Sequence, residues 1–145
     1  MEDIYKVEDY MDKTFLTLSA DMDVYNAIDL LLEKGQTSAV VTDDAKKVVG
    51  ILSEKDCLKL LTGGSYYQLP GGTVKDFMTT DVFCIPAYTD IFKVADMFLN
   101  HYFRRIVIKN DDGCVAGQIT RRDLLRIIKE LHLKEDKEQK IAPIM

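Results

Sequence analysis

Two short segments of this sequence pair a hydroxyl side chain with a carboxylate three residues later. Ser53 precedes Asp56 in the first segment, and Thr120 precedes Asp123 in the second. Each pair follows a β-rich run and opens a run that is predicted to be helical. A carboxylate accepts hydrogen bonds that contribute about 1.5–3 kcal/mol each, and the free N–H groups at the start of a helix suit a phosphate. These residue types could therefore form two half-sites for a nucleotide-like ligand.

The same spacing matches a capping box, in which the hydroxyl and the carboxylate bind backbone N–H groups at the start of their own helix. A single copy of the pattern would favour plain capping. Two copies favour ligand contact in at least one of them. Both roles can hold at once, because the hydroxyl can cap the helix while the carboxylate faces a cleft.

The two segments belong to a longer repeat with a constant offset, which is 67 residues from Gly50 to Gly117 (117 − 50 = 67). Residues 7–61 align with residues 74–128 without a gap. A repeat of this kind predicts two copies of one supersecondary unit. The predicted division is a first repeat, a Gly- and Pro-containing linker, a second repeat and a charged C-terminal tail that is expected to fray, at residues 1–61, 62–73, 74–133 and 134–145.

Each repeat is predicted to form a strand, a helix, two strands and a helix. The predicted strands cover residues 15–18, 38–41 and 48–52 in the first repeat and residues 82–85, 105–108 and 115–119 in the second. The closing helices are predicted from about residue 54 to 61 and from about residue 121 to 131. The first helix of each repeat has apolar residues at the spacings of one helix face, namely Val24, Ala27, Ile28 and Leu31, then Ile91, Val94, Ala95 and Phe98.

The order of these elements predicts the architecture. A crossover helix makes the first two strands of each repeat parallel, and a hairpin makes the last two antiparallel. A three-stranded sheet with two helices buries too little apolar surface alone. We therefore predict an α/β (α+β) fold in which two β-α-β-β-α repeats pack sheet to sheet about a pseudo-two-fold axis. Asp21 or Asp23, and later Asp90, can cap the first helices. Gly35 can end the first of them, whereas Tyr102 at the matching position cannot do so in the same way.

Composition disfavours several classes of function. The formal net charge is −5, and an acidic chain repels the nucleic-acid backbone. The apolar runs are too short to span a bilayer and the acidic start lacks a secretory pattern, so a cytoplasmic location is expected. The three cysteines form no CxxC pair, which disfavours a zinc site or a disulfide framework. No nucleophile with an adjacent base is evident, so an enzyme is not expected.

The repeated pattern resembles a tandem pair of cystathionine-β-synthase (CBS) domains, called a Bateman module. The resemblance rests on four features that recur in order: Val-x-Asp-aromatic-Met at residues 7–11 and 74–78, the amphipathic helix, the apolar strand, and the glycine-hydrophobic run into Ser/Thr-x-x-Asp. It covers both repeats, which are nearly the whole chain. It implies a homodimeric regulatory module that binds AMP, ADP, ATP or S-adenosylmethionine in clefts between the repeats and acts on another protein.

The resemblance also implies which residues contact such a ligand. Asp56 and Asp123 would accept hydrogen bonds from ribose hydroxyls, and Ser53 and Thr120 would contact ribose or phosphate. The remaining implied residues line the two clefts and the adenine pockets: Thr37, Ser38 and Val40 in one cleft, Arg104, Arg105 and Val107 in the other, and Thr14, Leu16, Asp81 and Phe83 around adenine. The family often has proline where Val40 and Val107 stand, and Gln118 replaces a usually apolar residue.

The two half-sites differ in charge. Ser53-Glu54-Lys55-Asp56 is nearly neutral, whereas Thr120-Arg121-Arg122-Asp123 is basic, and Arg104 and Arg105 add to it. Arginine binds phosphate in a bidentate manner, so we hypothesise that the second half, with Arg122 and Arg105, holds the better anion site. The alternative is that these arginines only face solvent. A ligand-independent homodimeric scaffold and, less favoured, a nucleotide-hydrolysing enzyme are the alternative functions.

Overall fold

The computed structural model describes residues 5–62 and 68–141, which form two three-stranded sheets with helices. The first sheet contains β1, β2 and β3, at Thr17–Ser19, Ser38–Thr42 and Val48–Ser53. The second sheet contains β4, β5 and β6, at Cys84–Pro86, Arg105–Lys109 and Val115–Thr120. The helices α1 to α5 span Val24–Lys34, Glu54–Cys57, Val74–Phe77, Ile91–Asn100 and Arg121–Ile141, and short 3-10 helices cover Val7–Asp9 and Leu58–Leu61.

The two sheets have the same topology and the same register. β1 lies parallel to β2, with Thr17 opposite Val40, and β4 lies parallel to β5, with Cys84 opposite Val107. The closing hairpins β2–β3 and β5–β6 are antiparallel. Each residue of one sheet thus has its counterpart 67 positions away in the other, which confirms the predicted duplicated α+β fold.

The crossover helices begin and end as their sequences dictate. Asp23 caps α1 by accepting hydrogen bonds from the N–H groups of Tyr25 and Asn26, and Asp90 caps α4. Gly35 ends α1 in a left-handed conformation with φ at 62°, which a glycine adopts without steric cost. At the end of α4 the chain becomes extended at His101 instead. The predicted caps and the different ends of the two helices are confirmed.

The hydrophobic cores do not coincide with the sequence repeats. We call residues 5–12 and 72–79 the first and second head segments. Val7 of the first head lies fully buried in the core of the second sheet, with Ile85, Ile106 and Ile119. Val74 of the second head lies in the core of the first sheet. The two repeats therefore exchange their head segments.

Backbone hydrogen bonds fix this exchange symmetrically. The N–H of Val7 donates to the carbonyl of Thr89 at 2.7 Å, and the N–H of Val74 donates to the carbonyl of Met22 at 2.8 Å. These two bonds are again related by 67 residues. Each head is thus tied to the loop that precedes the crossover helix of the other repeat.

The sheet faces opposite the helices face each other. Alternate residues of a strand point to opposite faces, so Val40 and Val107 point away from the helix-covered cores. Both are nevertheless buried, at 1% and 0% exposure. A side-chain hydrogen bond from Arg105 Nη2 to Thr37 Oγ1, 3.0 Å long, crosses between the halves. The predicted packing of sheet against sheet is confirmed.

Several predicted boundaries were wrong. α5 does not end near residue 131 but continues to Ile141, so the charged segment that we expected to fray is helical over residues 134–141. This stretch contains no glycine or proline, and its lysines and glutamates are good helix formers. The predicted helix at residues 54–61 is one α-helical turn followed by the 3-10 helix, and β1 and β4 begin two residues later than predicted.

Part of the predicted linker, including its two tyrosines, falls at residues 63–67, outside the described residues. The domain limits remain a prediction. In the described ranges, no helix has both the length and the apolar character needed to cross a bilayer.

Candidate functional site

The residues expected to contact a ligand gather at one edge of each sheet. Residue pairing across the hairpins explains this, because Ser38 lies opposite Ser53 and Arg105 lies opposite Thr120. The strands β2 and β5 thus begin where β3 and β6 end, and β1 and β4 begin at the same edges because they are parallel to β2 and β5. The hydrogen bond from Arg105 to Thr37 brings the two edges together.

Two crossover segments, residues 12–16 and 79–83, connect these edges. The backbone of Thr79 exchanges hydrogen bonds of 2.8 and 2.9 Å with Ile51 of β3 before the chain enters β4. The backbone of Asp12 does the same with Gln118 of β6, at 2.8 and 3.0 Å, before the chain enters β1. Each crossover segment therefore runs from the closing strand of one sheet to the first strand of the other.

We call the two regions beside these segments, where the resemblance would place a ligand, the first and second clefts. The first cleft is bounded by residues 79–83 together with Ser53 and Asp56. The second cleft is bounded by residues 12–16 together with Thr120 and Asp123. Thr14 belongs to the second cleft, where its N–H and hydroxyl donate to Asp12 Oδ1 at 2.8 and 2.7 Å.

Asp56 in the first cleft is buried and fully engaged by the protein. Its Oδ2 accepts hydrogen bonds from the N–H and the hydroxyl of Ser53, both at 3.0 Å. Its Oδ1 accepts from the hydroxyl of Thr79 at 3.0 Å and from Lys59 Nζ at 3.3 Å. Burial raises the pKa of this carboxyl, but the Ser53, Thr79 and Lys59 donors outweigh burial and hold the pKa below its usual value.

Asp123 in the second cleft is held by fewer donors. Its Oδ2 accepts from the N–H and hydroxyl of Thr120 at 2.8 and 3.1 Å. Its Oδ1 accepts only from Arg126 Nη1 at 2.9 Å among the described residues. The hydroxyl of Thr120 in turn accepts from the N–H of Asp123 at 3.3 Å, as Ser53 does from Asp56. The predicted capping role is confirmed for both pairs, and ligand contact stays a prediction.

A family model for the CBS domain matches this chain twice, at residues 7–63 and 74–130. The chain belongs to the CBS domain family. The resemblance seen in the sequence is confirmed, and the molecule is a CBS pair.

Known proteins similar to this CBS pair include an enzyme and an uncharacterized protein. Over 122 residues it is 29% identical to the inosine-5'-monophosphate dehydrogenase of Nitrosopumilus maritimus (strain SCM1), covering 84% of this chain but 24% of that protein. The chain thus spans about a quarter of that relative's length. It is also 32% identical over 95 residues to an uncharacterized 17.7 kDa protein of Acidianus ambivalens, covering 66% of this chain and 56% of that protein.

Among solved structures, CBSX2 from Arabidopsis thaliana superposes with a TM-score of 0.78 at 27% identity, covering 90% of this chain and 98% of that chain. A structure of CBSX2 in complex with AMP has a TM-score of 0.77 at 28% identity, covering 88% of this chain and 98% of that chain. These likenesses bear out the CBS-pair fold over most of the chain.

Arg105 of the CBS pair is bound to other side chains of the protein, and its role at a ligand stays a prediction. Its guanidinium donates to Gln118 Oε1 at 2.9 Å and to Thr37 Oγ1 at 3.0 Å. Its Nε is buried and has no hydrogen-bond partner among the described residues. Burial lowers the pKa of Arg105 below its usual value, and the carboxylates of Asp12 and Asp123 oppose this shift without cancelling it.

The other predicted contact residues divide into exposed and buried ones. Arg104, Arg122 and Asp81 are exposed, so their role at a ligand stays a prediction. Ser38, Val40 and Val107 are buried, and Leu16 packs against the first core. Phe83 is 42% exposed and stacks on Phe103 with ring centroids 4.7 Å apart.

Sequence reasoning missed residues that decide the character of each cleft. Thr79 and Asp12 occupy matching positions (79 − 67 = 12), yet one is a hydroxyl donor and the other an acceptor. A comparison of the two repeats at these positions could have revealed this difference. Phe103, which stacks between Phe83 and His101, matches Gln36, so this stack has no counterpart at the matching positions of the described first half.

The described part of the chain contains no candidate metal site. Within residues 5–62 and 68–141, no three His, Cys, Asp or Glu side chains come close enough together to hold a metal ion. Phe103 and Arg104 line a surface cavity of about 350 Å³ beside the start of α5, but neither Asp56 nor Asp123 lines it.

Proposed function

We propose that this CBS pair is a regulatory module that binds an adenosine-containing ligand, such as AMP, ADP, ATP or S-adenosylmethionine, and modulates a partner protein without catalysing a reaction. The ligand would sit at the shared sheet edges, with its ribose on an aspartate of the Ser/Thr-x-x-Asp pattern. Binding regulates only if the two states of the module have different affinities for the ligand.

One observation carries this proposal. Asp123 lies at the start of a long helix, and among the described residues its outer oxygen Oδ1 is paired only with Arg126, whose side chain is 67% exposed. Exposed ion pairs contribute little, about 0–1 kcal/mol, so ribose hydroxyls can replace Arg126 at small cost. The similarity to CBSX2, which has been solved in complex with AMP, supports an adenosine ligand.

The proposal predicts selective stabilisation by adenosine compounds. A ligand at 100 times its dissociation constant adds about 2.7 kcal/mol to the free energy of unfolding, which raises the melting temperature by several degrees. AMP, ADP, ATP and S-adenosylmethionine should be compared in thermal unfolding. CMP is the control, because it has the same ribose phosphate as AMP but a different base. Stabilisation by an adenosine compound but not by CMP is expected. No response to any adenosine compound would instead favour the ligand-independent scaffold.

Exposed apolar residues support a homodimer. Several leucines that lie more than half exposed have an equally exposed apolar counterpart 67 residues away. The pairs are Leu32 and Leu99, Leu58 and Leu125, and Leu61 and Ile128. Because the pseudo-two-fold axis of the chain relates these pairs, the chain presents matched apolar surfaces, and we propose that a second copy covers them.

The dimer proposal predicts that charges on this surface separate the chains. The double variant Leu58→Lys and Leu125→Lys should sediment as one chain in analytical ultracentrifugation, whereas the unaltered protein sediments as two. Tyr88 is a suitable control because it is 66% exposed but matches Asp21 rather than an apolar residue. A Tyr88→Lys variant should remain a dimer. A double variant that also remains a dimer would contradict this interface.

A further inference from the structure

The two clefts differ at one matched position that faces the ligand-binding aspartate. Around Asp56 and Asp123 the other donors correspond: Ser53 corresponds to Thr120, and Lys59 corresponds to Arg126 (126 − 59 = 67). The exception is Thr79 in the first cleft, whose counterpart is Asp12 in the second. Among these side chains around the two aspartates, the difference in hydrogen-bonding character therefore comes from this exchange of a hydroxyl for a carboxylate.

In the first cleft Thr79 already donates a hydrogen bond to the oxygen of Asp56 that a ribose hydroxyl would need as its acceptor. Its hydroxyl donates to Asp56 Oδ1 at 3.0 Å, and Lys59 donates to the same oxygen at 3.3 Å. The Asp56 side chain is only 8% exposed. A ligand hydroxyl that took this oxygen would have to displace two protein donors, Thr79 and Lys59, so the net gain in hydrogen bonding would be smaller than at an oxygen held by a single donor.

In the second cleft the matched position supplies an acceptor instead of a donor. The carboxylate of Asp12 cannot donate to Asp123, and one of its oxygens is held by Thr14. The backbone of Asp12 pairs with Gln118, whose side chain accepts from Arg105, and Arg105 lies opposite Thr120, so both aspartates belong to the neighbourhood of this guanidinium. A ribose brings two further hydroxyl donors, and at Asp123 Oδ1 such a donor would have to displace Arg126 but no hydroxyl of the described residues.

We propose that the second cleft alone binds the ligand, so that each chain binds one adenosine compound. Thr79 prevents binding in the first cleft because its hydroxyl donates to Asp56 Oδ1. This proposal rests on the proposed adenosine-binding function. It makes Thr79 and Asp12 the residues that determine which of the two clefts is used. Arg126 acts as an internal competitor of the ribose, and Lys59 has no such role.

Isothermal titration calorimetry with AMP, ATP and S-adenosylmethionine, each alone, tests the proposal. The expected stoichiometry is one compound per chain. Asp123→Asn should weaken binding about 100-fold or more, because two hydrogen bonds to a charged group are replaced by weaker ones. Circular dichroism of the Asp123→Asn variant is the control for folding.

A matched pair of surface variants keeps the test independent of folding. Arg126→Ala and Lys59→Ala remove corresponding side chains that are 67% and 56% exposed. Arg126→Ala should tighten binding about threefold by freeing Asp123 Oδ1, and Lys59→Ala should leave the affinity unchanged.

The outcomes separate this proposal from the function on which it rests. If the unaltered protein binds none of the compounds, the adenosine-binding function itself is wrong. If it binds them, three results would overturn the one-cleft proposal alone: two compounds per chain, retained affinity in Asp123→Asn, or a Lys59→Ala effect at least as large as that of Arg126→Ala.

Discussion

Replacing Val7 with Asp should destabilise the second half of the molecule, although Val7 lies in the first sequence repeat. Val7 is fully buried in the core that contains Ile106 and Ile119 of the second sheet. An uncompensated buried charge costs about 3–5 kcal/mol, a large part of the stability of a typical domain. Hydrogen exchange should therefore accelerate most at the amides of β5 and β6, and less at those of β2 and β3.

The matched variant Val74→Asp provides the control. Val74 is equally buried but lies in the core of the first sheet. In the Val74→Asp variant, hydrogen exchange should therefore accelerate most at the amides of β2 and β3. Mass spectrometry of exchanged peptides measures both patterns. If each variant instead loosened the sheet of its own sequence repeat, the head segments would not be exchanged in solution.

Replacing Gly117 with Ala should cost about 1–3 kcal/mol, the usual penalty for overpacking. A Cβ atom at this position would lie 2.5 Å from Met11 Sδ and 2.9 Å from the carbonyl oxygen of Asp12. The methionine can move, but the carbonyl belongs to the backbone bridge between Asp12 and Gln118. The crossover segment would have to shift away from β6, and with it one wall of the second cleft. Chemical denaturation measures the loss of stability.

Two other glycines calibrate this result. At Gly50, the counterpart of Gly117, a Cβ would lie 2.6 Å from Met78 Sδ and 2.9 Å from the carbonyl oxygen of Thr79, so Gly50→Ala should cost a similar amount. At Gly71 no atom of the described residues lies within 4 Å of an added Cβ, and Gly71→Ala should be nearly neutral. A Gly117→Ala variant as stable as Gly71→Ala would show that the close approach is not maintained in solution.

The sequence predicted those features that depend on local pattern. The apolar spacing of α1 and α4, the caps at Asp23 and Asp90 and the glycine stop at Gly35 follow from residues within one helix. The gapless repeat extended these predictions from one half to the other, and the identical register of the two sheets confirmed them.

Features that depend on the partner of a side chain were not predictable in the same way. Nothing in the pattern of residues 7–11 states which sheet Val7 covers, since either core accepts a buried valine. The arginine that we assigned to a phosphate, Arg105, proved to be bound to Thr37 and Gln118, and its role at a ligand stays a prediction. The continuation of α5 was missed because a run of charged residues predicts an exposed segment without fixing whether it is helical.

The exchange of head segments determines what each repeat would lack if the two repeats were separated. A single repeat in isolation would have a sheet whose core lacks its covering valine and a head with no core to enter. It could complete its core only by exchanging head segments with another copy, which makes an intertwined pair of chains. Joining two repeats in one polypeptide converts that encounter between molecules into an intramolecular one at high effective concentration, and folding then no longer depends on how much protein is present.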